Sequence, residues 1–380
     1  MIDFSYSQDD EMFRASLRRF LEKEVAPVAA EAEETGRFPK HLFGRFGEMG
    51  YLGIPYPEEV GGMGLGYQTF CLYAEELGKV NSGIAGSLLA QSSIGVQPLF
   101  LMGSKEQKER LLAPALRGEK IGAFGLTEPG AGSDAAGITT SAVLKGDRYV
   151  LNGTKIFITN ATMCDYALVA ATTDKKLGID GIVILVVERG TKGFSTGAPM
   201  KKLGNRSSEC CEVVLEDCEV PVENRLGPET GGFHTLMKAL NCGRMVVAAR
   251  AVGLAVAAYD AALAYAKDRK QFGKTISSYQ LIQSKLARMA VEIDASRALV
   301  QRAAWIRDTG GDPALSAAMS KLKATETVVS VTSEAVQILG GYGYMVEFPV
   351  ERYFRDAKAL TIIEGTSEIQ QIIIARRLLE

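Results

Sequence analysis

Apolar residues recur at three- and four-residue spacing through EMFRASLRRFLEKEVAPVAAEAEE, HLFGRFGEMG, YQTFCLYAEELGKV and SGIAGSLLAQSSIGVQPLFLMG, which predicts helices from Tyr6 to about Gly118 separated by short Gly-rich turns. From about Glu119 to Leu226 the period shortens. Runs such as YALVAATT, GIVILVVE and CCEVVLEDCEV read as strands, and the Asn152-Gly153 pair inside RYVLNGTKIFIT is a strong hairpin signal. From Gly232 the helical period returns in three long Ala-rich segments whose small residues suit closely packed antiparallel helices. The pattern therefore predicts a multidomain α+β chain: an all-α N-terminal domain (1–118), a middle β-barrel or sandwich domain (119–226), and a C-terminal helical bundle of four helices (227–380). No internal repeat, linker or low-complexity tract interrupts it.

Composition narrows the function classes. With 380 residues, 47% hydrophobic and 23% charged, the chain is of ordinary soluble globular type and long enough for two or three domains. Its 43 Lys+Arg against 45 Asp+Glu give a formal charge of −2, so no basic field invites nucleic acid and a small-molecule partner is expected. The first residues lack a secretory or transit pattern, and no apolar run approaches the roughly 18 residues of a membrane span, so a cytoplasmic protein without a membrane partner is expected. The six cysteines, at 71, 164, 210, 211, 218 and 242, show no C-x-x-C spacing, and only two histidines are present, His41 and His234. That argues against a zinc site or any triad needing an imidazole, and the thiols are expected reduced and buried.

Several motifs weaken on inspection. GGMGLG (61–66) lacks the spacing and the preceding strand of a dinucleotide fingerprint. FGKT (272–275) resembles the end of a phosphate loop, but Asp268 stands where its first glycine belongs. Gly340-Gly341 reads as a helix C-cap. TEPGAGSD (127–134) follows the apolar run GAFGL. Its glycines and short side chains suit either a loop presenting backbone N–H groups to an anion or an ordinary strand-ending loop. In TIIEGTSEIQ, Ser367 to Gln370 fits a capping box, which places Glu364 just before a helix start. Ile362 and Ile363 imply burial of that carboxylate. Burial without a partner raises a carboxylate's pKa, which suits a general base, although a merely structural role at the helix terminus fits as well.

TEPGAGSD, KIFITN, the RKQFG of Arg269 to Gly273, QILGGYGY and IIEGTSEIQ occur in the order and approximate spacing of the acyl-CoA dehydrogenases, which the chain resembles over essentially its whole length. The resemblance implies FAD as cofactor. Phe124, Leu126, Thr127, Gly132 and Ser133 correspond to one flavin-binding segment, and Phe157, Ile158 and Thr159 to the cover of the flavin's other face, where many relatives carry Trp at the first of these. Arg269, Gln271, Phe272, Gln337, Gly340 and Gly341 resemble segments that hold the FAD of a neighbouring subunit, which implies a homotetramer, and Thr366 and Glu368 also match FAD contacts. Ser133, Asn241, Arg244 and Gly365 match contacts to the acyl-CoA, although many relatives have Asp at the position of Asn241. Glu364 matches the base that removes the α-proton as the β-hydride leaves for the flavin. Some branches place that base one residue before the Arg of LNCGR, where this chain has Gly243.

The expected activity is oxidation of a short, branched or alicyclic acyl-CoA to its 2-enoyl-CoA, with electrons passed to an electron-transfer flavoprotein. The alternatives are other flavin chemistry on the same scaffold (an oxidase, a monooxygenase, or a dehydrogenase of carrier-protein-bound acyl groups), a dicarboxylyl-CoA dehydrogenase, and a non-catalytic scaffold. Arg250 bears on the dicarboxylyl reading. It either reaches the pocket, where it would pair with a distal carboxylate, or is solvated or paired internally.

Overall fold

The computed structural model describes residues 6–380, so the first five positions of the expected 1–118 unit lie outside the described residues. The N-terminal part is helical: α1 (Gln8–Glu24), α2 (Ala26–Thr35), α3 (His41–Glu48), α4 (Gly66–Val80), α5 (Ser82–Ser92) and α6 (Gln97–Met102), then α7 (Lys105–Gln107) and α8 (Ala113–Leu116) on either side of a π-helical turn. Ser7 opens α1 in a capping box with Asp10, and Asn81 caps α5 by accepting from the Ile84 N–H at 2.8 Å.

The middle part is one mixed sheet of eight strands: β1 (Gly122–Gly125), β2 (Ser141–Lys145), β3 (Arg148–Thr159), β4 (Tyr166–Thr172), β5 (Ile182–Glu188), β6 (Phe194–Thr196), β7 (Cys210–Pro221) and β8 (Arg225–Leu226). Their order is β6-β7-β3-β2-β4-β5-β8, with β1 parallel to β4. The unbroken apolar runs of β4 and β5 follow from burial on both faces. Ala167, Val169, Val183 and Leu185 join the main core, whereas Tyr166, Leu168, Ile182 and Ile184 join a second core with Leu99, Leu112 and Leu236 from the helices.

The expected hairpin at Asn152-Gly153 does not form. β3 runs through both residues, and its register against β7 shifts by a bulge between Leu151 and Gly153. Gly153 has φ 152°, and a Cβ there would lie 2.5 Å from the Thr140 hydroxyl. Asn152 is pinned to the opposite strand, accepting from the Asp217 N–H at 2.8 Å. The β2–β3 turn instead falls at Gly146-Asp147.

The C-terminal part comprises α9 (Gly232–Asp268), a short hairpin of β9 (Lys270–Gln271) and β10 (Lys274–Thr275), then α10 (Gln280–Asp308), α11 (Ala314–Leu339), α12 (Val350–Leu360) and α13 (Ser367–Leu379). α9 is apolar nearly all round because it is the central helix, packed by α4, α10, α11 and α12. Contrary to the sequence expectation, α9 and the Ser82–Met102 run are long and apolar enough to cross a bilayer, yet 72% of each one's most apolar window is buried within the protein. Glycines let α4 and α9 touch backbone to backbone: a Cβ on Gly253 would meet the Glu75 carbonyl at 1.9 Å, and one on Gly78 the Arg250 carbonyl at 2.6 Å. This contact fixes α9, which carries Asn241, Gly243 and Arg244, against the N-terminal helices. All six cysteines are free and buried.

Candidate active site

Between α12 and α13 the chain turns through Glu364 at φ 53° and Gly365 at φ 95°. A left-handed conformation costs a non-glycine residue roughly 1–2 kcal/mol, so the turn needs support from its surroundings. Lys321 of α11 supplies some of it, donating to the Gly365 carbonyl at 2.8 Å, and the Gln370 amide donates to the same carbonyl at 2.9 Å. The capping box expected over Ser367–Gln370 is absent. Gln370 is drawn inward to the turn and fully buried, and the N-cap shifts to Thr366, whose hydroxyl accepts from the Ile369 N–H. The φ of Gly365 favours glycine, and a Cβ there would lie 2.6 Å from the Gln370 amide and displace the side chain that braces the turn.

The turn aims Glu364 at α9. A Cβ on Gly243 would sit 1.8 Å from Glu364 Oε2, so the carboxylate occupies the room that a side chain there would fill. Oε2 is sealed from solvent and has no hydrogen-bond partner among the described residues. The residue as a whole is half-buried, but desolvation of the carboxyl raises its pKa to about 7, against the opposing pull of Arg244, Lys321 and Arg250. The flanking isoleucines do not bury it as expected: Ile362 and Ile363 are 54% and 37% exposed, and the burial comes from the facing helices. Arg244 is itself buried and donates to Asn241 Oδ1 at 2.6 Å, one turn back on α9, while its Nε is left without a partner.

A second group of expected residues converges on the β1 and β3 loops. Phe124 is the penultimate residue of β1, and Leu126, Thr127, Gly132 and Ser133 follow in the loop, where Gly132 and Ser133 are exposed. Phe157 lies in a second bulge of β3 at φ 62° with its ring 63% exposed. Thr159 is half-buried, but the Ile158 side chain turns into the core. A buried ion pair that sequence reading missed locks the two segments together. Lys155 Nζ donates to Glu128 Oε1 at 2.7 Å and to the Leu126 carbonyl at 3.1 Å, and the Ile156 N–H donates to the Thr127 carbonyl at 2.9 Å. Burial alone would raise the Glu128 pKa, but Lys155 and the hydroxyl and N–H donors of Thr139 and Thr140 hold it down to about 2. Both residues lie within quoted motifs, Glu128 in TEPGAGSD and Lys155 at the start of KIFITN. The signal that could have found the pair is Lys155, a charge placed at an inward-facing position of a strand.

A third group lines a groove of about 540 Å³ at the far end of the bundle: Arg269, Gln271, Gly340 and Gly341, with Tyr265 and Tyr342. Phe272 forms the β9–β10 turn at φ 52° and is 93% exposed. Gly340 has φ 62° and ends α11, and Gln337 is exposed one turn before it. Thr366 and Glu368 stay with the Glu364 turn, where Glu368 is exposed.

Arg250 is buried and engaged within the protein. It donates to Ser82 Oγ at 3.0 and 3.1 Å and to Asn205 Oδ1, and Asn205 donates in turn to the buried Asp356. Burial pushes the Asp356 pKa up to about 6 and that of Arg250 down to about 10, with Asp356 opposing the latter. These four residues tie together α5, the loop before β7, α9 and α12.

Three family models match the chain: acyl-CoA dehydrogenase, N-terminal domain (residues 7–119), middle domain (123–218) and C-terminal domain (230–379). The chain is 44% identical to a short-chain specific acyl-CoA dehydrogenase of Clostridium acetobutylicum, covering 99% of this chain and 100% of that one. Among solved structures, butyryl-CoA dehydrogenase from Megasphaera elsdenii superposes with a TM-score of 0.97 at 42% identity, with full coverage of both chains. A chain from a study of the electron transferring flavoprotein of Acidaminococcus fermentans does so with a TM-score of 0.97 at 45% identity, also over the whole of both chains.

The Lys155–Glu128 brace makes a first prediction. Lys155→Met leaves a buried carboxylate unpaired, and breaking such a pair costs about 3–5 kcal/mol. Thermal unfolding of the purified protein should show a melting temperature lowered by several degrees and weakened flavin retention. An unchanged melting temperature and flavin content would remove the brace from the account.

Proposed function

Because the chain belongs to the acyl-CoA dehydrogenase family, an oxidoreductase family acting on CH–CH groups, we propose that Glu364 is the base with which it oxidises a short acyl-CoA to the 2-enoyl-CoA. The observation that carries this reading is the bare, buried Oε2 of Glu364, facing Gly243 with no partner to satisfy it. A carboxylate with a pKa near 7 is a far stronger proton acceptor than an exposed one, yet is still substantially ionised at neutral pH. The Glu364 N–H donates to no group among the described residues, so it is free to hold a thioester oxygen as the α-proton leaves. The buried Arg244 beside Asn241 places a positive charge at the same end of α9.

The residues present fit FAD. Phe157 offers an exposed aromatic face over loops that carry the Thr127 and Ser133 hydroxyls, and Cβ atoms on Gly130 and Gly132 would meet nothing within 4 Å, so a cofactor could approach the backbone closely. When bound, FAD supplies the hydride acceptor. Phe124, Leu126, Thr127, Phe157 and Thr159 would hold its flavin end, and Ser133 would lie near its phosphates.

The groove of Arg269 and Gln271 lies at the other end of α9 from Gly243. From Gly243 to the end of α9 at Asp268 the helix advances roughly 38 Å, well beyond one extended dinucleotide. The groove therefore supports binding of a neighbouring subunit's cofactor and, with it, a homotetramer. The names of the relatives support a short acyl chain and an electron-transfer flavoprotein as acceptor. Branched and alicyclic groups are included because Ile363, rather than an aromatic residue, precedes the base. Arg250 gives the dicarboxylyl reading little support, since its guanidinium is held by Ser82 and Asn205.

Glu364→Gln should keep FAD and bind acyl-CoA, yet lose turnover by about 10²–10⁴-fold. For the wild type, kcat/KM should fall as the pH drops through about 7, because the base works only when deprotonated. Near wild-type turnover in the Gln variant would place the base elsewhere.

Butyryl-, isobutyryl-, 2-methylbutyryl-, cyclohexanecarboxyl-, glutaryl- and palmitoyl-CoA, assayed with an artificial acceptor, should give the highest kcat/KM among the first four. Palmitoyl-CoA as best substrate would refute the short-chain reading, and glutaryl-CoA as best would return Arg250 to the pocket.

A further inference from the structure

One buried charge beside the site is unexplained by acyl-CoA or flavin binding. Lys321 lies in the Ala-rich segment AAMSKLKATE of α11 and has no accessible surface. Its ammonium has one hydrogen-bond acceptor among the described residues, the Gly365 carbonyl at 2.8 Å, and no carboxylate in direct contact. Two residues along the same helix, Lys323 pairs with Glu292 on the outer side, as a helix lysine ordinarily does. Burying an ammonium without a contact anion is costly, so its retention calls for a compensating task.

The surroundings supply one. The Gly365 carbonyl accepts from Lys321 and from Gln370, so two donors from different helices fix the peptide that follows Glu364. That peptide belongs to the left-handed turn whose geometry presses the carboxylate against Gly243. The charged groups acting here come from every side. Arg244 and Arg250 come from α9, Glu368 from α13, Glu326 from α11 itself, and Glu364 from the turn. Burial pulls the Lys321 pKa down to about 8, Glu364 raises it, Arg244 lowers it, and Glu368 and Glu326 raise it, so the amine remains cationic at neutral pH.

We propose that Lys321 is a positioning residue for Glu364: its buried ammonium clamps the Gly365 carbonyl so that the carboxylate stays against Gly243. The proposal rests on Glu364 being the base.

The test compares wild type, Lys321→Met and Lys321→Gln as purified flavoproteins, with butyryl-CoA and an artificial acceptor. Met removes donor and charge together, whereas Gln keeps a donor without the charge. Lys321→Met should retain FAD, lose roughly 10–100-fold in kcat from a displaced base, and change little in KM. Its kcat–pH profile should have an acid limb moved to higher pH, because losing a nearby cation makes the carboxylate easier to protonate. Lys321→Gln should recover part of kcat while keeping the displaced limb. Unchanged kcat and an unmoved limb in both variants would overturn the proposal, as would a change confined to KM. Failure of both variants to hold FAD overturns it too, since Lys321 would then be a folding residue. Glu364→Gln measured alongside keeps the two failures apart. If it stays active the base assignment falls, and if it is dead while Lys321→Met is normal only the clamp falls.

Discussion

One carboxylate oxygen, Glu364 Oε2, sealed from solvent and without a hydrogen-bond partner among the described residues, governs this structure. Left alone, Glu364 would rotate to bring Oε2 to water or a donor, and the surrounding construction prevents both. Gly243 leaves the space its oxygen occupies, the left-handed turn fixes its direction, and Lys321 and Gln370 hold the turn from two helices. The cost of burial is what makes the group useful, because the same desolvation that raises its pKa towards neutrality makes it a competent acceptor for a weakly acidic carbon proton.

The rest of the fold keeps that arrangement in register with the cofactor loops. α9 carries Gly243 and is locked against α4 by the glycine contact at Gly253 and Gly78. The sheet enters through two buried polar braces. Lys155 and Glu128 join the two loops expected to face the flavin, and Arg250, Asn205 and Asp356 join α9 and α12 to the loop that leads into β7. Each brace places ionised groups where hydrophobic packing alone would leave the relative position of the elements less well defined.

Much of this was legible in the primary structure. Helix and strand periods marked the three blocks, and Glu364, Asn241 and Arg244 were singled out and do lie together. The misreadings share a cause: tertiary partners overruled a local signal. Asn152-Gly153 carries the composition of a turn, but Asp217 on the facing strand and the crowding of Thr140 make it a bulge. Ser367 and Gln370 carry the spacing of a capping box, but Gln370 satisfies buried carbonyls instead. Ile362 and Ile363 pointed to a buried carboxylate for the wrong reason, being largely exposed themselves. Lys321 was invisible because nothing in AAMSKLKATE separates a buried lysine from Lys323, two places on.

The central claim is that sealing one oxygen of the Glu364 carboxyl from solvent raises its pKa strongly, and it can be observed without turnover. Infrared difference spectra of the substrate-free flavoprotein, recorded against pH and referenced to Glu364→Gln, isolate the carboxyl stretch of this residue. The account predicts a band that titrates with a midpoint near 7. A midpoint in the ordinary glutamate range, around 4.3, would contradict it.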